Sequence, residues 1–167
     1  MPKTTLIPLD VTHQVLATPE VLRLMLHGTE PTHRTTPSTL RQMLHDLLTF
    51  FAHTYAEVFG LVQGPPLHDP LAVAAIFPDH SEHGIHFDDR GGERWAVEVV
   101  TDGLHSDVEE ERGQVGRTRV SKAQSGEVGV RIPRGLNVQG LWSLLEGCVK
   151  RAEERSLQEV DHAADFR

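Results

Sequence analysis

The chain has 167 residues, enough for one domain with its own core. Its 24 acidic and 16 basic residues leave a net charge of −8, which argues against a general nucleic-acid binder, since that needs a basic face. No stretch approaches the roughly 18 apolar residues of a membrane span, and one cysteine, Cys148, excludes an internal disulfide and suits a reduced, cytoplasmic setting.

In chain order, Met1 to Thr5 lacks the charged-then-apolar layout of a secretory signal. Thr4 to Leu9 is continuously apolar after two threonines, which predicts a short buried strand of a parallel sheet ending at Asp10. Thr12 suits a turn cap. Thr18-Pro19-Glu20 is a helix start, with the helix running to Gly28. Pro37 opens the longest helix of the first half. Leu40, Met43, Leu44, Leu47, Phe51, Tyr55 and Val58 recur on it at spacings of three and four, so they form one stripe expected to face the core, and Gly60 ends it. Tyr55 alone on that stripe carries a polar tip, useful if the helix end borders a pocket.

His68-Asp69-Pro70 follows, directly ahead of Leu71-Ala72-Val73-Ala74-Ala75. Pro70 suits the first position of a helix, with Asp69 as its cap. A carboxylate and an imidazole side by side at a helix mouth can bind a cation and deliver a proton; the local alternative is a cap and nothing more. Residues Phe77 to Glu93 are expected to form a loop. Arg94–Thr101, Gln114–Lys122 and Glu127–Ile132 are strand candidates. Asn137 caps a last helix through roughly Arg155, with Leu141, Trp142, Leu145, Cys148, Val149 and Ala152 on its apolar face, so that Cys148 is expected in the core. Residues 1–160 are expected to form a single domain and 161–167 a frayed tail.

Two further groups carry metal or anion chemistry. His80, His83 and His86 are spaced by three in an acidic loop and are a candidate zinc set, against a solvated loop as the plain alternative. Arg131 and Arg134 flank Ile132-Pro133 and could hold an anion, a solvated strand end being the default. Neither Gly-x-Ser-x-Gly, a P-loop nor Gly-x-Gly-x-x-Gly occurs, so a nucleophilic triad and a phosphate cradle are unsupported.

Four ordered segments carry a resemblance. They are Ile7-Pro8-Leu9-Asp10-Val11-Thr12-His13-Gln14; Phe50 to Gly60; His68-Asp69-Pro70-Leu71-Ala72-Val73-Ala74; and Arg94 to Thr101 followed by Gly113-Gln114-Val115-Gly116-Arg117-Thr118. Together they resemble the C-terminal half of the inosine/uridine-preferring nucleoside hydrolase family, with a fungal uridine nucleosidase-like character. The resemblance implies an α/β fold, a Rossmann-like mixed sheet with flanking helices. It implies hydrolysis of the N-glycosidic bond of ribonucleosides to ribose and free base, with a calcium ion holding the ribose hydroxyls and the attacking water. Asp69 then matches a calcium-ligating aspartate and His68 the general acid beside the leaving base. Tyr55, and more weakly Phe51, match aromatic residues near the base. An imidazole suits the acid because it exchanges protons near neutrality.

The family's Asp-x-Asp-x-Gly-x-Asp-Asp cluster does not occur in this chain. That cluster supplies most calcium ligands and the general base, so the chain alone is expected to be inactive or nearly so. The expected partners are a ribonucleoside and either a second copy of the chain or a complementing N-terminal half; nucleic acid and membrane are not expected. A non-catalytic interaction module of the same fold is the alternative.

Overall fold

A computed structural model describes residues 4–29, 36–77, 79, 81, 84–101, 114–124 and 126–164, with side chains through 156. The elements in order are α1 (Leu9–Thr12), α2 (Pro19–His27), α3 (Thr39–Phe59), α4 (His68–Ala74), β1 (Phe87–Asp88), β2 (Trp95–Val99), β3 (Thr118–Lys122), β4 (Gly135–Leu136) and α5 (Val138–Ala164).

Helix boundaries follow local chemistry. The Thr18 hydroxyl accepts the Val21 N–H at 3.4 Å and caps α2 behind Pro19. Ser38 does the same for α3 through Arg41 N–H at 3.3 Å, and Gly60, at φ 69°, ends that helix in the left-handed conformation. The Asn137 side chain accepts the Gly140 N–H at 2.9 Å and opens α5. That helix continues to Ala164, past the expected end near Arg155 and into the expected tail.

The opening segment departs from the expected parallel strand. Leu6 N–H donates to Arg131 O at 2.9 Å and Arg131 N–H to Thr4 O at 3.1 Å, which makes one parallel bridge between Thr5 and Arg131. Pro8 has no N–H to extend the ladder, and the chain turns into α1 at Leu9. The regular sheets among the described residues are two antiparallel pairs. Trp95 to Val99 of β2 pairs in register with Lys122 to Thr118 of β3, and Phe87-Asp88 of β1 pairs with Leu136-Gly135 of β4. The candidate strand 127–132 contributes only bridges from Val130 to Trp95 and from Arg131 to Thr5.

The core joins Val15, Leu71, Ala74, Ile85, Phe87 and Leu141, with Leu67, Leu136, Val138 and Leu145 packed against them. It therefore locks α4 onto the start of α5 and the β1–β4 pair. The α3 stripe is not part of it: Met43, Leu47, Phe51 and Val58 are all exposed, and the buried residue of α3 is Arg41. Periodicity showed which residues share a face of α3; the docking of α2 and α5 on that helix sets how deeply each is buried. Cys148 is also exposed, because the buried line of α5 runs through Leu141 and Val149, two turns apart, and leaves Cys148 beside it.

Arg131 ties the bridge to the β1 region. Its guanidinium donates to Asp89 at 2.9 Å, to Asp79 at 3.2 Å and to Phe87 O at 3.3 Å. Its charge is thus matched internally, which corrects the reading of Arg131 as a solvated strand end. Burial penalises the Asp89 charge. The Arg131 hydrogen bond, the Gly92 N–H and Arg94 outweigh that penalty and hold its carboxyl below the ordinary 3.8. A carboxyl with a lowered folded pKa stabilises the fold above its ordinary value and loses that contribution as pH falls through the lowered one. The denaturant midpoint is therefore expected to drop as pH is taken below about 4, and Asp89→Asn is expected to remove part of that drop while lowering the midpoint at pH 7.

Candidate active site

Two short chain segments bring the site together. Ala17 N–H donates to Pro65 O at 2.9 Å and Leu67 N–H to Val15 O at 3.0 Å, around a bridge from Leu16 to Pro66. The pairing sets the end of α1 beside the start of α4. Thr12, 2% exposed, then lies 2.9 Å from His68 Nδ1 through its Oγ1.

Helix α4 begins earlier than expected. Its cap position is Leu67, which makes no side-chain cap bond, and His68 is the first helical residue. Asp69 and Pro70 lie inside the first turn, where a proline is tolerated because that N–H has no partner in the helix. Asp69 is accordingly not a cap. It is exposed and its carboxylate has no cap bond to hold it.

A cavity of about 630 Å³ is lined by His68, Asp69, Thr12, Thr5 and an apolar set that includes Ile7, Leu9 and Ile76. That volume is in the range of small-molecule sites, and the wall mixes apolar side chains with polar groups. Leu9 and Ile76 on its rim are 63% and 77% exposed, so the rim is apolar and open.

Of the sequence candidates, His68 and Asp69 line the cavity, and Tyr55 stands beside His68 without being part of that lining. The Tyr55 ring centre is 6.4 Å from that of His68 and 5.2 Å from that of Phe59. Phe51 stands apart: it is 42% exposed and meets Phe50 edge-on. His80 and His83 lie outside the described residues. His86 is, among them, paired with Asp79 at 3.2 Å. No group of three or more His, Cys, Asp or Glu among the described residues is arranged to hold a metal.

Sequence reasoning missed two neighbours of His68. One is Thr12, taken as a turn cap; the other is His13, whose ring centre is 6.0 Å from that of His68. Both stand in the Leu9-Asp10-Val11-Thr12-His13 block, where two polar residues next to an apolar run were the available signal.

Among the described residues, Asp69 is the one acidic group in the cavity lining. Calcium takes six to eight oxygen ligands, so the described residues do not by themselves make a calcium site.

The family model of inosine-uridine preferring nucleoside hydrolases matches residues 1–143. The uridine nucleosidase of Saccharomyces cerevisiae is 27% identical over 161 residues, which cover 92% of this chain and 42% of that protein. An uncharacterized protein of Schizosaccharomyces pombe is 38% identical over 77 residues, 46% of this chain and 21% of its own length. The chain thus spans less than half the length of the curated relatives it matches. Among the described residues, no helix is long and apolar enough to cross a membrane.

Proposed function

Because the chain belongs to the inosine-uridine preferring nucleoside hydrolase family, we propose that its cavity serves hydrolysis of the N-glycosidic bond of ribonucleosides, with uridine or inosine as substrate. The observation that carries this reading is that His68 and Asp69 line one open cavity of small-molecule volume, with the Tyr55 ring 6.4 Å from that of His68. In the reaction the bond from the ribose anomeric carbon to the base nitrogen breaks and water oxygen adds to that carbon. The electron pair leaves with the base, which must take up a proton. We assign His68 as the donor of that proton, a role that typically contributes ~10²–10⁴-fold. Tyr55 then flanks the base with its ring, and Phe51, one turn earlier on α3, is at most an outer neighbour.

The attacking water must lose a proton to a base, and among the described residues the cavity lining holds no second carboxylate for it. Asp69 is proposed as a single-carboxylate contribution to a calcium site whose other ligands, with the base, come from an Asp-rich segment covering the open rim. A cytoplasmic setting fits the lone cysteine.

The test is a titration of uridine into the chain with and without calcium, alongside a base-release assay. Uridine binding that needs no calcium is expected of the chain alone, because one carboxylate does not hold the ion, with turnover far below the ~1–10³ s⁻¹ of ordinary enzymes. Ordinary turnover by the chain alone would overturn the proposal that a further segment supplies the remaining ligands and the base. The exposed apolar stripe of α3 favours the alternative of an interaction module. Absent uridine binding, together with a melting temperature indifferent to calcium, would select that alternative.

A further inference from the structure

Thr12 makes two contacts through one oxygen. Oγ1 lies 3.2 Å from Leu9 O and 2.9 Å from His68 Nδ1. A threonine hydroxyl has one proton to give and two lone pairs to accept with. Leu9 O is a carbonyl and can only accept; it already takes the His13 N–H at 2.8 Å. Both contacts are hydrogen bonds in one arrangement only: the Thr12 O–H donates to Leu9 O, and His68 Nδ1–H donates to Thr12 Oγ1. If Nδ1 carried a lone pair instead, the hydroxyl would have to turn to it and abandon Leu9 O.

From this geometry we infer that Thr12 is a positioning residue that holds neutral His68 as the Nδ1–H tautomer and reserves Nε2 for the proton exchanged with a ligand. The inference rests on the proposed role of His68 and deepens it. An imidazolium also carries hydrogen at Nδ1, so the same bond to Thr12 serves the ring before and after it gives up a proton at Nε2. The hydroxyl rotor and the ring need not move between the two states, which is the condition for fast transfer from a fixed donor. No hydrogen bond among the described residues engages Nε2. Thr12 is suited to the task because it is 2% exposed, so water does not compete for its lone pair. It also sits on α1, which the pairing of residues 15–17 with 65–67 holds against α4.

The tautomer is read directly from the ring-nitrogen NMR spectrum of the full chain at a pH where the ring is neutral, with the His68 signals assigned by their loss in His68→Asn. The expected result is a pyrrole-like Nδ1 and a pyridine-like Nε2. Thr12→Val, nearly the same shape without the acceptor, is expected to move the tautomer ratio roughly three- to tenfold toward Nε2–H, the size of one net hydrogen bond. Thr12→Ser is expected to keep the wild-type ratio. A wild-type ring that is mainly Nε2–H, or an unchanged ratio in folded Thr12→Val, overturns the inference. Should Thr12→Val fail to fold, the wild-type spectrum still decides. The measurement needs no turnover. An Nδ1–H ring in a chain that binds no uridine upholds Thr12 and removes the proposed function, and an Nε2–H ring in a chain that binds uridine does the reverse.

Discussion

Gly64→Ala is expected to destabilise the protein by at least about 3 kcal/mol and to separate Thr12 from His68. Gly64 is buried at φ 134°, a backbone conformation that side chains other than hydrogen rarely allow. A Cβ there would stand 2.4 Å from Ala17 O and 2.7 Å from Ala17 C, so backbone has to move to admit it. The backbone in question is the segment whose bonds to Pro65 and Leu67 set α1 against α4. Gly60→Ala is the informative control. It has a milder left-handed strain, at φ 69°, and nothing within 4 Å of the new Cβ. It is expected to lose only about 1–2 kcal/mol, the cost of the conformation without the clash. Urea unfolding of both variants, with the His68 ring-nitrogen spectrum of Gly64→Ala, checks the pair of outcomes. Equal losses would show that Ala17 yields freely.

Arg41→Ala is expected to cost about 3–5 kcal/mol, because it leaves a buried carboxylate without its partner. Arg41 and Glu146 have side chains 8% and 11% exposed and meet at 2.8 Å. The guanidinium also donates to Met25 O at 2.8 Å and to Glu153 at 3.0 Å, while Ser38 bonds Glu153 from the cap of α3. One side chain therefore joins the end of α2, the start of α3 and the middle of α5. The hydrogen bond to Glu146 leads in raising the Arg41 pKa above its ordinary value, so the guanidinium stays charged at alkaline pH. Arg41→Lys is expected to lose much of the same energy, since an ammonium cannot reproduce the planar fork that reaches all three acceptors. The double variant Arg41→Met with Glu146→Leu is expected to recover part of the loss, because it removes the Arg41 and Glu146 charges together while Glu153 loses its Arg41 partner and keeps its Ser38 bond. Urea midpoints for the three variants test this. A double variant as unstable as Arg41→Ala would mean that the orphaned Glu146 charge does not set the cost.

The parts of this fold that could be read in advance are those decided within a few residues. Thr18, Gly60 and Asn137 bound their helices because cap and backbone group lie one turn apart. The register of α4 was misread by two residues. Pro70 suits both the first position and the rest of the first turn, so its presence does not select between them. Likewise the α3 stripe was legible as a stripe, while its solvent exposure was not. Periodicity gives the angle of a side chain about a helix and carries no information on what lies opposite.

By itself the sequence determined the family, through four ordered blocks and above all His68-Asp69-Pro70, and it placed a carboxylate beside an imidazole by simple adjacency. Only the tertiary structure decided which partners that pair has. Thr12 reaches His68 across 56 positions, Arg41 reaches Glu146 across 105, and Arg131 claims Asp89 across 42. Such contacts are set by how elements dock, which depends on shape and burial summed over many residues. No short stretch of chain encodes them, and for that reason Thr12 looked like a turn cap until α1 was seen lying against α4.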